Sequence, residues 1–239
     1  MRIGLFDSGL GGLTVLKKLK EKYPKCDYIY YGDNLNVPYG DKTIKELIEL
    51  ANNSVRFLLS KNVDIIIIAC GTISSNCLSY LKDKYNIPII DIISPTINYL
   101  NNSNYNNILV IATKATISSG IFKNNVKKNI YELETPLLAP LIENNNLLDI
   151  DNVLHSYLDK YVNKIDSLVL GCTHYPIIIS NINKILNKNI KIIDMSNYIT
   201  LDNFGNSKCT IYYSKLDDKT IENTKKILNN INYSIENSK

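Results

Sequence analysis

The chain is poor in several residue types on which common functions depend. Its 239 residues include no tryptophan, two histidines, two methionines and five cysteines. No apolar run reaches the ~18 residues that a membrane span requires, so no membrane partner is expected. The opening Met1-Arg2-Ile3-Gly4-Leu5-Phe6-Asp7 meets an acidic residue too early for the apolar core of a signal peptide. The cysteines at 26, 70, 77, 172 and 209 are odd in number and lack the spacing of a disulfide framework. A reducing, cytoplasmic compartment is therefore expected. No paired C-x-x-C supports a zinc site, which leaves metal binding by Cys70, Cys172 and His174 the weaker reading. Neither the dinucleotide fingerprint nor a Walker pattern fits. The net charge of +4 is mild, and Lys17, Lys18, Lys20 and Lys22 fall on a helix-like stretch that reads as solvated surface. Nucleic acid is not an expected partner.

What is present is a phrase written twice. Val63-Asp64-Ile65-Ile66-Ile67-Ile68-Ala69-Cys70 is matched by Ile165-Asp166-Ser167-Leu168-Val169-Leu170-Gly171-Cys172. Each copy is a branched apolar run, closed by a small residue and followed by a cysteine. Ile89-Ile90-Asp91-Ile92 recurs as Ile192-Ile193-Asp194-Met195, and residues 2–7 have a counterpart in 107–112. Parallel sheets do repeat buried runs, and cysteine is a common core residue. The agreement of several lines in one order nevertheless indicates two similar halves, each carrying one thiol at a strand's carboxyl end. A site with a thiol on either side suits moving a proton from one face of a carbon to the other.

Strand-like runs alternate with helix-like stretches throughout, the pattern of doubly wound α/β folds with mainly parallel sheets. Strands are expected near 2–6, 27–31, 63–69, 89–93, 108–112, 130–134, 166–171, 190–194 and 209–214. Helices are expected over 13–21, 44–60, 75–84, 118–125, 151–163, 177–186 and 218–230. The Asn-rich stretch 101–107 reads as the joint between halves. The final strand and helix follow a complete second half and so return to the first sheet. The expected domains are residues 1–97 with 206–239, and residues 98–205.

Ligands of open parallel sheets bind outside the carboxyl ends of the strands, where three loops stand out. Asp7-Ser8-Gly9-Leu10-Gly11-Gly12-Leu13-Thr14 opens a helix, and its glycines serve either tight packing or amides aimed at an anion. Cys70-Gly71-Thr72 and Cys172-Thr173-His174-Tyr175-Pro176 each hand a strand to a helix. A helix N-terminus and a protonated histidine both lower a thiol's pKa, so depressed values are expected, with His174 or Asp7 as partners. His155, without polar company on its helix, reads as structural or exposed.

Residues 3–14 (IGLFDSGLGGLT), 31–40 (YGDNLNVPYG), 69–72, 113–119 (TKATISS), 139–143 (APLIE), 170–176 (LGCTHYP) and 192–196 together resemble the cofactor-independent aspartate/glutamate racemases. They run in family order over nearly the whole chain. The resemblance implies two pseudo-symmetric domains with the active site in the cleft between them. It implies Cys70 and Cys172 as the two acid/base residues, with Asp7 assisting the first and Glu143 and His174 the second. It implies substrate contacts from Asp7, Ser8, Tyr39, Gly40, Gly71, Thr72, Thr116, Thr173 and His174. No cofactor and no metal are expected. The expected partner is an acidic amino acid, glutamate with aspartate as the alternative, D-glutamate being destined for peptidoglycan, and a homodimer is compatible with this. A lyase or an inactive binding relative is the more distant alternative. Gly71 departs from the pattern, since the family usually has a substrate-contacting Asn there. Ser74, Asn76 or an ordered water is expected to fill the vacancy. On that expectation Gly71→Asn changes turnover less than about threefold, or lowers it by crowding.

Overall fold

The computed structural model describes residues 1–238 and contains two parallel sheets. The strands are β1 (Arg2–Asp7), β2 (Asp27–Gly32), β3 (Ile65–Ile68), β4 (Ile89–Asp91), β5 (Asn107–Ala112), β6 (Asn129–Glu134), β7 (Ser167–Leu170), β8 (Lys191–Asp194), β9 (Cys209–Tyr213) and β10 (Ser234–Asn237). The helices are α1 (Gly12–Lys22), α2 (Ile44–Ser60), α3 (Gly71–Lys84), α4 (Ile93–Asn102), α5 (Lys114–Ser118), α6 (Ile121–Asn125), α7 (Leu138–Glu143), α8 (Ile150–Leu158), α9 (Ile179–Ile185) and α10 (Asp218–Ile227). One sheet has the order β10-β9-β2-β1-β3-β4 and the other β6-β5-β7-β8. The central order of the first, β2-β1-β3-β4, is that of the second, so the two halves share one winding. Cys70 follows β3 and Cys172 follows β7, the equivalent strand of each half.

The repeated phrases also fold alike, down to their aspartates. Asp64 Oδ2 accepts the Arg2 amide at 2.7 Å, and Asp166 Oδ2 accepts the Asn107 amide at 2.9 Å. Each carboxylate thus anchors the first residue of the strand beside it, which holds the register. In the second pair, Asp91 Oδ2 accepts the Ile93 and Ser94 amides, and Asp194 Oδ1 accepts the Ser196 amide. These turns are capped by the same residue type, and the unpaired N–H groups there explain why.

Three apolar clusters form the core. One lies on the outer face of each sheet, and the third is shared. The shared cluster joins Ile3, Leu5, Tyr28 and Ile67 of the first sheet to Ile108, Val110, Val169 and Ile193 of the second. Tyr99 of α4 stacks on Tyr198 across the same junction, with ring centroids 4.1 Å apart. A common buried layer fixes the two carboxyl ends against each other, which a flexible linker alone would not do.

Several expectations need correction. α4 runs through residue 97, where a domain boundary was expected, and the chain leaves that helix only after Asn102. The helix expected over 118–125 is two short helices, interrupted by Gly120 with φ of +67°. α7, which carries Glu143, is hidden in the sequence by its brevity and by Pro140. β10 was not expected; it is short and mostly exposed at the sheet's edge. Lys20 is buried rather than solvated. Its ammonium donates to the Ser207 carbonyl at 2.5 Å and lies over the Tyr28 ring. His155 is exposed as expected, but pairs with Asp159 at 2.8 Å, one helical turn on.

Candidate active site

The carboxyl ends of both sheets enclose a cavity of about 260 Å³. Cys70, Gly71, Thr72, Ser8, Tyr39 and Gly40 line it from the first half, and Cys172, Thr173, His174 and Glu143 from the second. Two residues of the expected set stand one step back. Thr116 is fully buried, its hydroxyl 3.0 Å from that of Thr113, and Asp7 is fully buried behind Ser8. Thr113 and Thr135 line the cavity and were not singled out. Thr113 sits in the same T-K-A-T stretch, and the choice between its two threonines needs the helix start to be known. Thr113 caps α5, which turns its hydroxyl inward.

The glycine-rich loop is occupied by the protein's own carboxylates. Asp7 Oδ2 accepts the amides of Gly9 and Gly12, each at 3.0 Å. Glu143 accepts the Leu10 amide at 3.2 and 3.3 Å, one bond to each oxygen. A carboxylate from each half is thereby fixed on one loop. The glycines are required by close approach: a Cβ at Gly11 would stand 2.5 Å from Thr173 Oγ1 and 2.6 Å from His174 Nδ1. Thr173 Oγ1 also donates to Asp7 Oδ1 at 3.2 Å. The loop is therefore where the halves dock, in addition to starting α1.

The two thiols have unlike surroundings. Cys172 Sγ lies 3.5 Å from His174 Nδ1, and His174 Nε2 lies 2.5 Å from Glu143 Oε2. This is a thiol, a base and a group orienting the base, the arrangement that activates a nucleophile or proton acceptor. Burial opposes a charged imidazole, but the Glu143 charge overrides it and raises the His174 pKa well above the usual value. Burial likewise opposes the Glu143 charge, and His174 with the Leu10 amide holds that carboxyl below its usual range. Cys70 has no histidine. Its thiol faces the Ser8 hydroxyl at 3.9 Å. Burial, with the Asp7 charge behind it, pushes its pKa up, while the amides of Ile73 and Ser8 pull against this. The expected depression at the start of α3 is thus reversed for Cys70, because desolvation outweighs the helix terminus. Asp7 is itself raised by burial, against the pull of His174 and the two glycine amides.

Tyr39 contributes its ring, since its hydroxyl is committed to Asp33 at 2.6 Å. Hydroxyls of Thr72 and Thr113 meet across the halves at 2.9 Å, and the Gly40 carbonyl accepts the Ala115 amide at 3.1 Å.

Gly71 is not a vacancy awaiting a side chain. A Cβ there would lie 2.5 Å from the carbonyl oxygen of Gly171 in the other half. That contact is to backbone, so no rotamer change relieves it. Neither expected substitute fills the place: Ser74 Oγ donates to the Ile68 carbonyl, and Asn76 Nδ2 to the Thr72 and Ala115 carbonyls. Crowding therefore decides the outcome at this position. Gly71→Asn and Gly71→Ala are both expected to force the halves apart, at about 1–3 kcal/mol of stability and roughly tenfold or more in kcat/KM. Thermal melts and turnover assays check this. A tenfold gain in turnover for the Asn variant alone would contradict it.

A model of the Asp/Glu/Hydantoin racemase family matches residues 14–197. The glutamate racemase of Fusobacterium nucleatum is 42% identical over 202 residues, covering 81% of this chain and 76% of that protein. The structure of glutamate racemase from Aquifex pyrophilus superposes with a TM-score of 0.86 at 34% identity, covering 100% and 98% of the two chains. That of glutamate racemase from Francisella tularensis, in complex with D-glutamate, gives 0.83 at 31% identity, covering 98% and 96%.

Proposed function

The chain belongs to the Asp/Glu/hydantoin racemase family, and on that premise we propose that it interconverts L- and D-glutamate by proton transfer between Cys70 and Cys172. The observation that carries this reading is the pair of thiols reaching one cavity from equivalent strands of the two halves. We place the passage of the chain from the first half to the second between α4 and β5, after Asn102 and before Asn107, and its return between β8 and β9. The product, D-glutamate, would serve peptidoglycan synthesis in the cytoplasm; among the described residues no helix is long and apolar enough to cross a membrane.

In the proposed reaction a thiolate on one face of the α-carbon removes its proton. The thiol on the other face then delivers one. The protein ends with the two protonation states exchanged, so no electrons are gained or lost. Cys70, whose pKa burial raises, holds its proton at rest. On the other side, the His174 imidazolium places a positive charge 3.5 Å from the Cys172 sulfur. Turnover in the two directions starts from opposite protonation forms of the pair. Charge building on the substrate carboxylate is met by the hydroxyls of Ser8 and Thr72, which line the cavity before the reaction begins.

Circular dichroism with each enantiomer of glutamate and aspartate tests the substrate. Conversion of glutamate in both directions, faster than of aspartate, is expected; faster aspartate turnover would assign the other substrate. A second expectation concerns cofactors. Dialysis against a chelator and against a carbonyl-trapping reagent should leave the rate unchanged. A thiol alkylator should abolish it, and glutamate should protect. Loss on chelation with recovery on adding zinc would contradict the thiol-only route.

A further inference from the structure

The turn that carries Cys172 and His174 lacks one of its own hydrogen bonds. It winds as a 3-10 turn, in which each amide donates to the carbonyl three residues back. The Tyr175 amide donates to the Cys172 carbonyl at 3.2 Å, and the Ile177 amide to that of His174 at 3.1 Å. The position between them is Pro176, which has no N–H, so the Thr173 carbonyl receives no such bond. Thr173 is 4% exposed, and a buried carbonyl left without a donor is costly. The donor comes from the other half. Thr14 Oγ1, on the first turn of α1, lies 3.0 Å from the Thr173 carbonyl oxygen and 2.8 Å from that of Gly11. Its single proton is shared between a carbonyl of each half.

Thr173 is therefore held by the first half at two points, its carbonyl by Thr14 and its hydroxyl by Asp7 at 3.2 Å. It stands between two residues whose contacts are short. Cys172 Sγ lies 3.5 Å from His174 Nδ1, and His174 Nε2 faces Glu143. Movement of this turn by a fraction of an ångström alters both contacts, and misplacement on that scale is enough to slow a reaction. We infer that Thr14 is a positioning residue, whose hydroxyl supplies the bond that Pro176 cannot and so sets the place of the Cys172-Thr173-His174 turn. Thr14 does not line the cavity and acts through Thr173. For its bearing on turnover the inference rests on the racemase reading.

Thr14→Val keeps the shape and removes the hydroxyl, Thr14→Ala removes it without apolar bulk, and Thr14→Ser keeps it. The two variants without a hydroxyl are expected to lose roughly tenfold in kcat on glutamate, and Thr14→Ser to stay within about twofold of the wild type. A second readout needs no turnover. The chain has two histidines, so their imidazole signals can be followed by NMR, with the exposed His155 as internal reference. Glu143, Cys172 and Asp7 face His174; burial opposes its charge, and Glu143 overrides this to hold its pKa high. A slack turn loosens that contact. The His174 midpoint should thus fall by about 0.5 pH unit or more in the Val and Ala variants and hold in Ser, while His155 does not move. Lowered thermal stability with kcat and the His174 midpoint unchanged would show a purely structural bond and overturn the proposal. A Ser variant as slow as Val would overturn it too. A His174 midpoint that follows the hydroxyl in a protein that does not racemise glutamate would refute the racemase reading and leave this one standing.

Discussion

Cys172→Ala is expected to lose two-way racemisation by a factor on the order of 10² to 10⁴ or more, the usual share of a positioned acid or base. Cys70→Ala should lose as much, although the two thiols sit in unlike surroundings. Each variant keeps one thiol on one face, so each can still exchange the α-hydrogen of one enantiomer and cannot complete inversion. Serine at either position should retain slow activity, because a hydroxyl can carry the proton but ionises far less readily. Both cysteines are nearly closed off from solvent and belong to apolar clusters. Removing the sulfur should therefore cost about 1 kcal/mol of stability, too little to explain the lost rate. Racemisation by Cys172→Ala with unaltered kinetics would contradict the two-thiol mechanism.

Glu143→Gln should have the next largest effect, roughly 10²-fold at neutral pH. Glutamine can still accept the Leu10 amide, but it removes the charge that keeps His174 protonated. Without that charge burial prevails and the His174 pKa falls. The alkaline limb of the pH–rate profile should then move to lower pH. Stability follows the same pair. The His174 contribution is complete below the usual histidine pKa and is lost as pH rises through the raised value. The Glu143 contribution is present above the usual carboxyl range and is lost as pH falls through the lowered one. The variant should accordingly show a flatter stability profile at both ends. An unshifted alkaline limb would show that Glu143 only holds the loop and does not tune the histidine.

The buried strands were legible because branched apolar runs bounded by turn residues have few alternatives, and the repeated Asp-apolar-Cys phrase exposed the internal symmetry. The cysteines, His174 and the glycine-rich loop were legible from their place after strands. What escaped depends on distance in space. Nothing local in Leu10 or Glu143 reveals that an amide in one half binds a carboxylate in the other. The Cys70 pKa was expected to fall because a helix start is visible in sequence, whereas its burial and the Asp7 charge behind it are not. Gly71 read as a missing side chain because the Gly171 carbonyl that excludes any Cβ lies a hundred residues further along the chain.

Deuterium incorporation during turnover in heavy water tests the central claim most directly. Starting from either enantiomer of glutamate, early product should carry one α-deuterium while unreacted substrate stays protonated, because the proton removed by one cysteine is not the one returned by the other. Protonated product, or substrate and product labelled alike from the start, would mean a single base serving both faces and would contradict the account.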